Sequence, residues 1–193
     1  MDNGAFKCWD MATNTFNYEK WETVESKWRH MLFWAQSAPQ PPLWAIVPDI
    51  PGNSPATLER WDEFAPIVKH SGFPLAIATQ DGMTVDDVKK LKIQPQVITI
   101  GGTDEFKWGT VEMWAKEFKR VNVLRCNSPE KLYYLESLGV ESCDGTGWNR
   151  GNSVQTRGVE RWARSKVNFG RVDHEMWPHV CKAVKDKNQL TFA

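Results

Sequence analysis

Four short apolar runs in this chain each end in residues able to hold a ligand. Trp44-Ala45-Ile46-Val47-Pro48 runs into Asp49, and Leu75-Ala76-Ile77-Ala78-Thr79 into Gln80-Asp81-Gly82. Val97-Ile98-Thr99-Ile100 runs into Gly101-Gly102-Thr103, and Val140-Glu141-Ser142-Cys143 into Asp144-Gly145. A carboxylate accepts hydrogen bonds, a glutamine amide gives and takes them, and a glycine N–H donates without side-chain bulk. Each group also has a plainer use. Asp49 before Ile50-Pro51-Gly52 can shape a turn, as can Asp144 before Gly145. Gly101-Gly102 suits a tight turn, and Gln80 suits a loop amide satisfied by its neighbours. What sets the four apart is their shared position at the end of an apolar run.

The elements behind them follow from pattern. Each run is short enough for a buried parallel strand, and helix-like sequence follows each one. In a βα-repeat protein the residues just past the strand carboxyl ends share one face, where catalysis is built. An enzyme is therefore expected. Residues 18–36 read as an amphipathic helix stopped by Pro39-Gln40-Pro41-Pro42. Ser54-Pro55 and Ser128-Pro129 read as serine caps with proline at the first helical position. Their helices run to about residues 70 and 138. Further helices are expected over 84–91, 107–120, about 159–164 and 174–185. Strands are expected over 43–47, 75–79, 97–100, 121–125 and 140–143, with a strand end or loop at residues 2–6. The alternation gives α/β with a parallel sheet. Five strands plus one strand end fall short of eight. The expected architecture is a compact, incomplete (β/α) barrel of the TIM type, forming one domain over residues 1–193.

Composition sets the class. Hydrophobic content of 41% and charged content of 25% are ordinary for a soluble globular chain. No apolar stretch nears the roughly 20 residues that span a bilayer. The opening Met1-Asp2-Asn3-Gly4 lacks the basic start and apolar segment of a secretory signal. A cytoplasmic protein without membrane partner is expected. Cys8, Cys126, Cys143 and Cys181 show no paired spacing, which argues for buried free thiols over zinc or a disulfide framework. His30, His70, His174 and His179 fall at helix positions without metal-like spacing. Neither a metal nor a cofactor is expected.

Net charge is zero, yet residues 145–171 carry six basic residues (Arg150, Arg157, Arg161, Arg164, Lys166 and Arg171) against one acid, Glu160. A solvated helix face explains such a stretch; so does an anionic partner such as a nucleic-acid backbone. Of the eleven tryptophans most are expected in the core, with Trp21, Trp28 and the Leu32-Phe33-Trp34 cluster on one helix face. Trp148 and Trp108 are expected in loops after strands, and with Lys107 at a pocket mouth. Asp81 and Asp104 are expected as neighbours of the site.

The ordered motifs resemble the queuine and archaeosine tRNA-guanine transglycosylase superfamily over residues 2 to about 152. Asp2-Asn3-Gly4-Ala5-Phe6 resembles its DSGGFQ segment, and Ile46-Val47-Pro48-Asp49 its strand ending in a base-reading aspartate. Ile77-Ala78-Thr79-Gln80-Asp81-Gly82 resembles GIVQGG, and Ile100-Gly101-Gly102 resembles IGGL. Asn127 to Leu132, through Gly139, resembles the GTPEDLLEAVARG helix, and Ser142-Cys143-Asp144-Gly145-Thr146 resembles FDCVLPTR. The resemblance implies Asp144 as nucleophile and Asp2 as general acid/base. It implies Asp49, Gln80 and the Gly101-Gly102 backbone as base-reading groups. The types fit: a carboxylate can stabilise or trap the oxocarbenium character of a breaking base–sugar bond, and a second carboxyl group handles the proton.

Departures narrow the substrate. The family's cysteine-rich zinc segment, which belongs to tRNA docking, is absent, and Gly-Thr-Gly-Trp-Asn-Arg replaces the family's proline-threonine segment after Asp144. The strand expected before Asp2 is missing, and DNGAF lacks the terminal glutamine. DNA is the expected partner, with the target nucleotide flipped out at modified or single-stranded positions. Water resolving the Asp144 step gives a DNA glycosylase; a second base gives a transglycosylase inserting a 7-deazaguanine-type base. The rival is a non-catalytic nucleic-acid or nucleotide-binding module, with Asp2 on a mobile terminus. The family's distribution admits a setting in phage–host conflict over modified DNA.

Overall fold

The computed structural model describes residues 1–145 and 156–163. The chain divides into two compact units, Met1–Phe106 and Lys107–Ala193. Both are α/β, with parallel strands alternating with helices along the sequence.

The first unit opens with a 3-10 turn, Ala5–Cys8, and an antiparallel hairpin of β1 (Trp9–Asp10) and β2 (Thr15–Phe16) that the sequence pattern does not announce. The Asp10 carboxylate accepts the Ala12 amide at 2.8 Å and holds the hairpin turn. Asn17 then caps α1 (Tyr18–Gln36) through the Lys20 amide at 2.8 Å. Trp21, Trp28 and Leu32 form its buried face, but Phe33 and Trp34 point outward at 67% and 70% exposure. The expected cluster of five therefore keeps only the three that share a helical stripe.

Three parallel strands follow: β3 (Ala45–Ile46), β4 (Leu75–Thr79) and β5 (Val97–Ile100). Every residue of all three is buried, which is what strands covered on both faces require. The register sets Thr79 beside Ile100, so β4 and β5 end level, while β3 ends at Ile46 beside Ala76, three residues short of the end of β4. Between them run α2 (Ser54–His70) and α3 (Val85–Lys89). Asn53 caps α2, accepting the Ala56 amide at 3.0 Å, so Ser54 is the first helical residue and not the expected cap. Thr84 and Asp87 close a reciprocal capping box on α3.

Asp2 is better anchored than a free terminus. Ala45 and Val47 donate to Pro74 and Ala76 on the β4 side of β3. On the opposite side the Ile46 amide donates to the Met1 carbonyl at 2.9 Å, and the Met1 ammonium donates to the Trp44 carbonyl at 2.5 Å. Met1 thus takes the place of a strand end beside β3.

α4 (Asp104–Glu117) starts at the end of the first unit, runs into the second, and buries Lys107, Trp108, Val111 and Trp114. It begins and ends three residues earlier than expected, since the Thr103 hydroxyl accepts the Phe106 amide at 3.2 Å and starts the helix there. β6 (Val121–Val123) and β7 (Ser142–Cys143) pair in parallel around α5 (Pro129–Ser137). A helix over residues 156–163 follows, its Trp162 indole donating to Glu136 of α5 at 3.2 Å. The helix expected over 174–185 lies outside the described residues. Among the described residues no helix is long and apolar enough to cross a membrane.

Candidate functional site

The chain segments past the strand ends of the first unit bring three sequence-distant residues together. The Asn3 amide donates to Asp49 Oδ1 at 2.8 Å and to the Val47 carbonyl at 3.0 Å. The Gln80 amide donates to Asp49 Oδ2 at 2.7 Å, while its oxygen accepts the Gly52 amide at 2.9 Å. Asn3 Oδ1 accepts the Ala5 amide at 2.8 Å. All three side chains are buried, Asp49 at 8% exposure. The loop past Asp49 is pinned by Thr57, whose hydroxyl accepts the Ile50 amide at 3.0 Å and donates to the Ile50 carbonyl at 3.1 Å.

Burial pushes the Asp49 carboxyl up to about 6, against the pull of the Asn3 amide. The nearby Asp2 carboxylate adds to the rise and Arg60 opposes it. Arg60 stacks over Trp21, its guanidinium carbon 4.2 Å from the ring centre, with Phe64 at 5.0 Å and Phe16 at 5.4 Å. Asp2 itself is exposed, and its Oδ1 accepts the Gly4 amide at 3.3 Å. A carboxyl group poised near 6 beside an exposed carboxylate can hold or release a proton at neutral pH.

Gly101 and Gly102 follow β5. The Gly101 amide donates to the Thr79 carbonyl at 3.1 Å, extending the ladder. Gly102 has φ +74°, and a Cβ there would lie 2.7 Å from Asp81 Oδ2 and 2.8 Å from Phe106. Asp81 accepts both the amide and the hydroxyl of Thr103. Packing thus accounts for a glycine at position 102.

In the second unit Asp144 follows β7 and is exposed. Its Oδ1 accepts the Arg125 amide at 2.7 Å, where Arg125 sits at φ +58°. Lys107 and Trp108 are on α4, as the expected helix from residue 107 has them, and buried, which corrects the expected pocket mouth for both and the expected loop for Trp108. Lys107 Nζ donates to the Leu124 carbonyl at 3.0 Å, and Lys131 Nζ lies 4.1 Å from the Trp108 ring centre. Arg157 and Arg161 are exposed on the helix over 156–163. Trp148, Arg150, Arg164, Lys166 and Arg171 lie outside the described residues.

Comparison with protein-family models, with curated proteins and with solved structures finds no match to this chain. The chemistry therefore rests on its own residues. Asn3 and Arg60 are the additions that sequence reading missed. Asn3 stands inside the Asp2-Asn3-Gly4 segment, where its position beside Asp2 was the available signal. Arg60 carries none, being one charge among several on α2.

Proposed function

We propose that this protein is an enzyme acting on the N-glycosidic bond of a nucleobase in DNA, built on a (β/α) barrel-type scaffold of the tRNA-guanine transglycosylase kind. One observation carries the reading: the buried Asp49 carboxylate held between the Asn3 and Gln80 amides past the strand ends. A carboxylate and an amide fixed side by side match the mixed donors and acceptors of a base edge. A flipped-out base lying there would meet Asp49, Gln80 and the Gly101-Gly102 backbone. Asp144 is the proposed nucleophile, and Asp2 the proposed acid/base.

The carbon–nitrogen bond breaks as Asp144 stabilises or traps the sugar, and the base leaves with a proton from Asp2. Water then attacks the sugar, Asp2 accepts its proton, and an abasic site remains. A second base attacking instead gives exchange. DNA is the proposed substrate, and hydrolysis the proposed outcome over exchange. Exposed Arg157 and Arg161 suit the DNA backbone, and Arg150, Arg164 and Lys166 extend the same basic stretch in sequence.

A second reading, a binding module without turnover, is favoured by the Asp144 carboxylate capping the Arg125 amide, which gives that residue a structural use. The deciding experiment incubates the full chain with duplex and single-stranded DNAs bearing different base modifications. Released bases are identified by mass spectrometry and abasic sites are counted. Base release with matching abasic sites is expected. Incorporation of a labelled free base would turn the reading to exchange, and binding without release to the module.

A further inference from the structure

β6 and β7 run parallel, with Val123 beside Cys143. Past Val123 the chain turns through Leu124 and Arg125 and returns over the end of β7. There the Cys126 amide donates to the Asp144 carbonyl at 2.6 Å, while the Asp144 amide donates to the Val123 carbonyl at 3.1 Å. Cys126 therefore sits against β7 one residue from Cys143, near enough for each thiol to shift the other's acidity. Gly145 permits this approach, since a Cβ there would collide with the Cys126 carbonyl. Both cysteines are free thiols; Cys126 is buried and Cys143 half-buried.

We infer that Cys126 and Cys143 are a reversible dithiol–disulfide pair, a modification site oxidised by low-molecular-weight disulfides. The adjacent backbones lessen the usual obstacle, a gap that only backbone movement could close. The roles differ. The neighbouring Cys126 thiol lowers the Cys143 thiol against the opposing push of burial and of Asp144. The nearness of Cys143, with burial, raises the Cys126 thiol. Cys143 is thus the more acidic and more accessible sulfur, and the attacking one.

Its thiolate attacks one sulfur of the oxidant, forming a mixed disulfide and expelling the first thiolate. That thiolate takes the Cys126 proton. Cys126 then attacks the Cys143 sulfur and expels the second thiolate, which is protonated by solvent. Two protein thiols become one disulfide, and one small disulfide becomes two thiols.

The test treats the full chain with glutathione disulfide, blocks remaining thiols after denaturation, and maps non-reduced peptides by mass spectrometry. Cys126 and Cys143 should lose alkylation together, appear as one linked peptide pair, and recover with dithiothreitol. Cys126→Ser should trap a glutathione adduct on Cys143, whereas Cys143→Ser should leave Cys126 reduced. Circular dichroism checks that each variant folds; if one does not, wild-type mapping decides alone. Full alkylation of both cysteines after treatment, or linkage of either one to Cys8 or Cys181, would overturn the inference.

Discussion

Asp49 and Asp144 each follow a short parallel strand, yet their surroundings differ in kind. Asp49 is buried, with side-chain amides on both oxygens, and its carboxyl is raised to about 6. Asp144 is exposed, and one backbone amide holds it. The first group is fixed by the fold at the cost of desolvation. The second keeps its solvent and its ordinary freedom. A fixed carboxylate suits orientation, which needs rigidity, and an exposed one suits attack, which needs an accessible lone pair.

The sharpest way to break the contrast is through pH. An unfolded chain releases the Asp49 proton near 3.8, and the folded chain near 6. Between those values the folded state holds more proton than the unfolded state, so stability falls as pH rises. Above 6 the full penalty applies, about 3 kcal/mol for a shift of this size. Urea denaturation at pH 4 and pH 7 reads it. Asp49→Asn should flatten this component, whereas Asp144→Asn should leave it in place. An unchanged slope in Asp49→Asn would mean that Asp49 ionises like a surface residue.

A smaller effect separates the partners. Asn3→Ala removes donors from Asp49 and the Val47 carbonyl inside a buried cluster, and should cost about 2 kcal/mol. It should also move the Asp49 transition to higher pH, since a donor to the charged form is lost. Asp144→Ala removes one exposed hydrogen bond and should cost no more than about 1 kcal/mol. Equal losses would erase the distinction between the two carboxylates.

The frame was legible because buried parallel strands write themselves as apolar runs. β4 and β5 match their expected limits residue for residue, since each run ends where a polar or glycine residue begins. Caps were harder. Asn53, not Ser54, starts α2, because two adjacent residues could each fill that role and backbone direction decides between them. The hairpin of Trp9–Asp10 and Thr15–Phe16 was hidden by strands too short to show alternation. Asp49 and Gln80 were identified from their positions after strands. Their mutual hydrogen bond, and the place of Asn3 between Asp49 and Val47, depend on strand register, which no local pattern carries. Cys126 and Cys143 looked scattered for the same reason: a parallel pairing and a tight turn bring them together.

The proposed role of Asp144 is attack on the sugar of the released base. Single-turnover base release from a modified-base DNA, wild type beside Asp144→Asn, tests it most directly. The expected result is release by wild type, a loss of at least about a hundredfold in Asp144→Asn, and unchanged DNA affinity. Release by Asp144→Asn at the wild-type rate would contradict the claim.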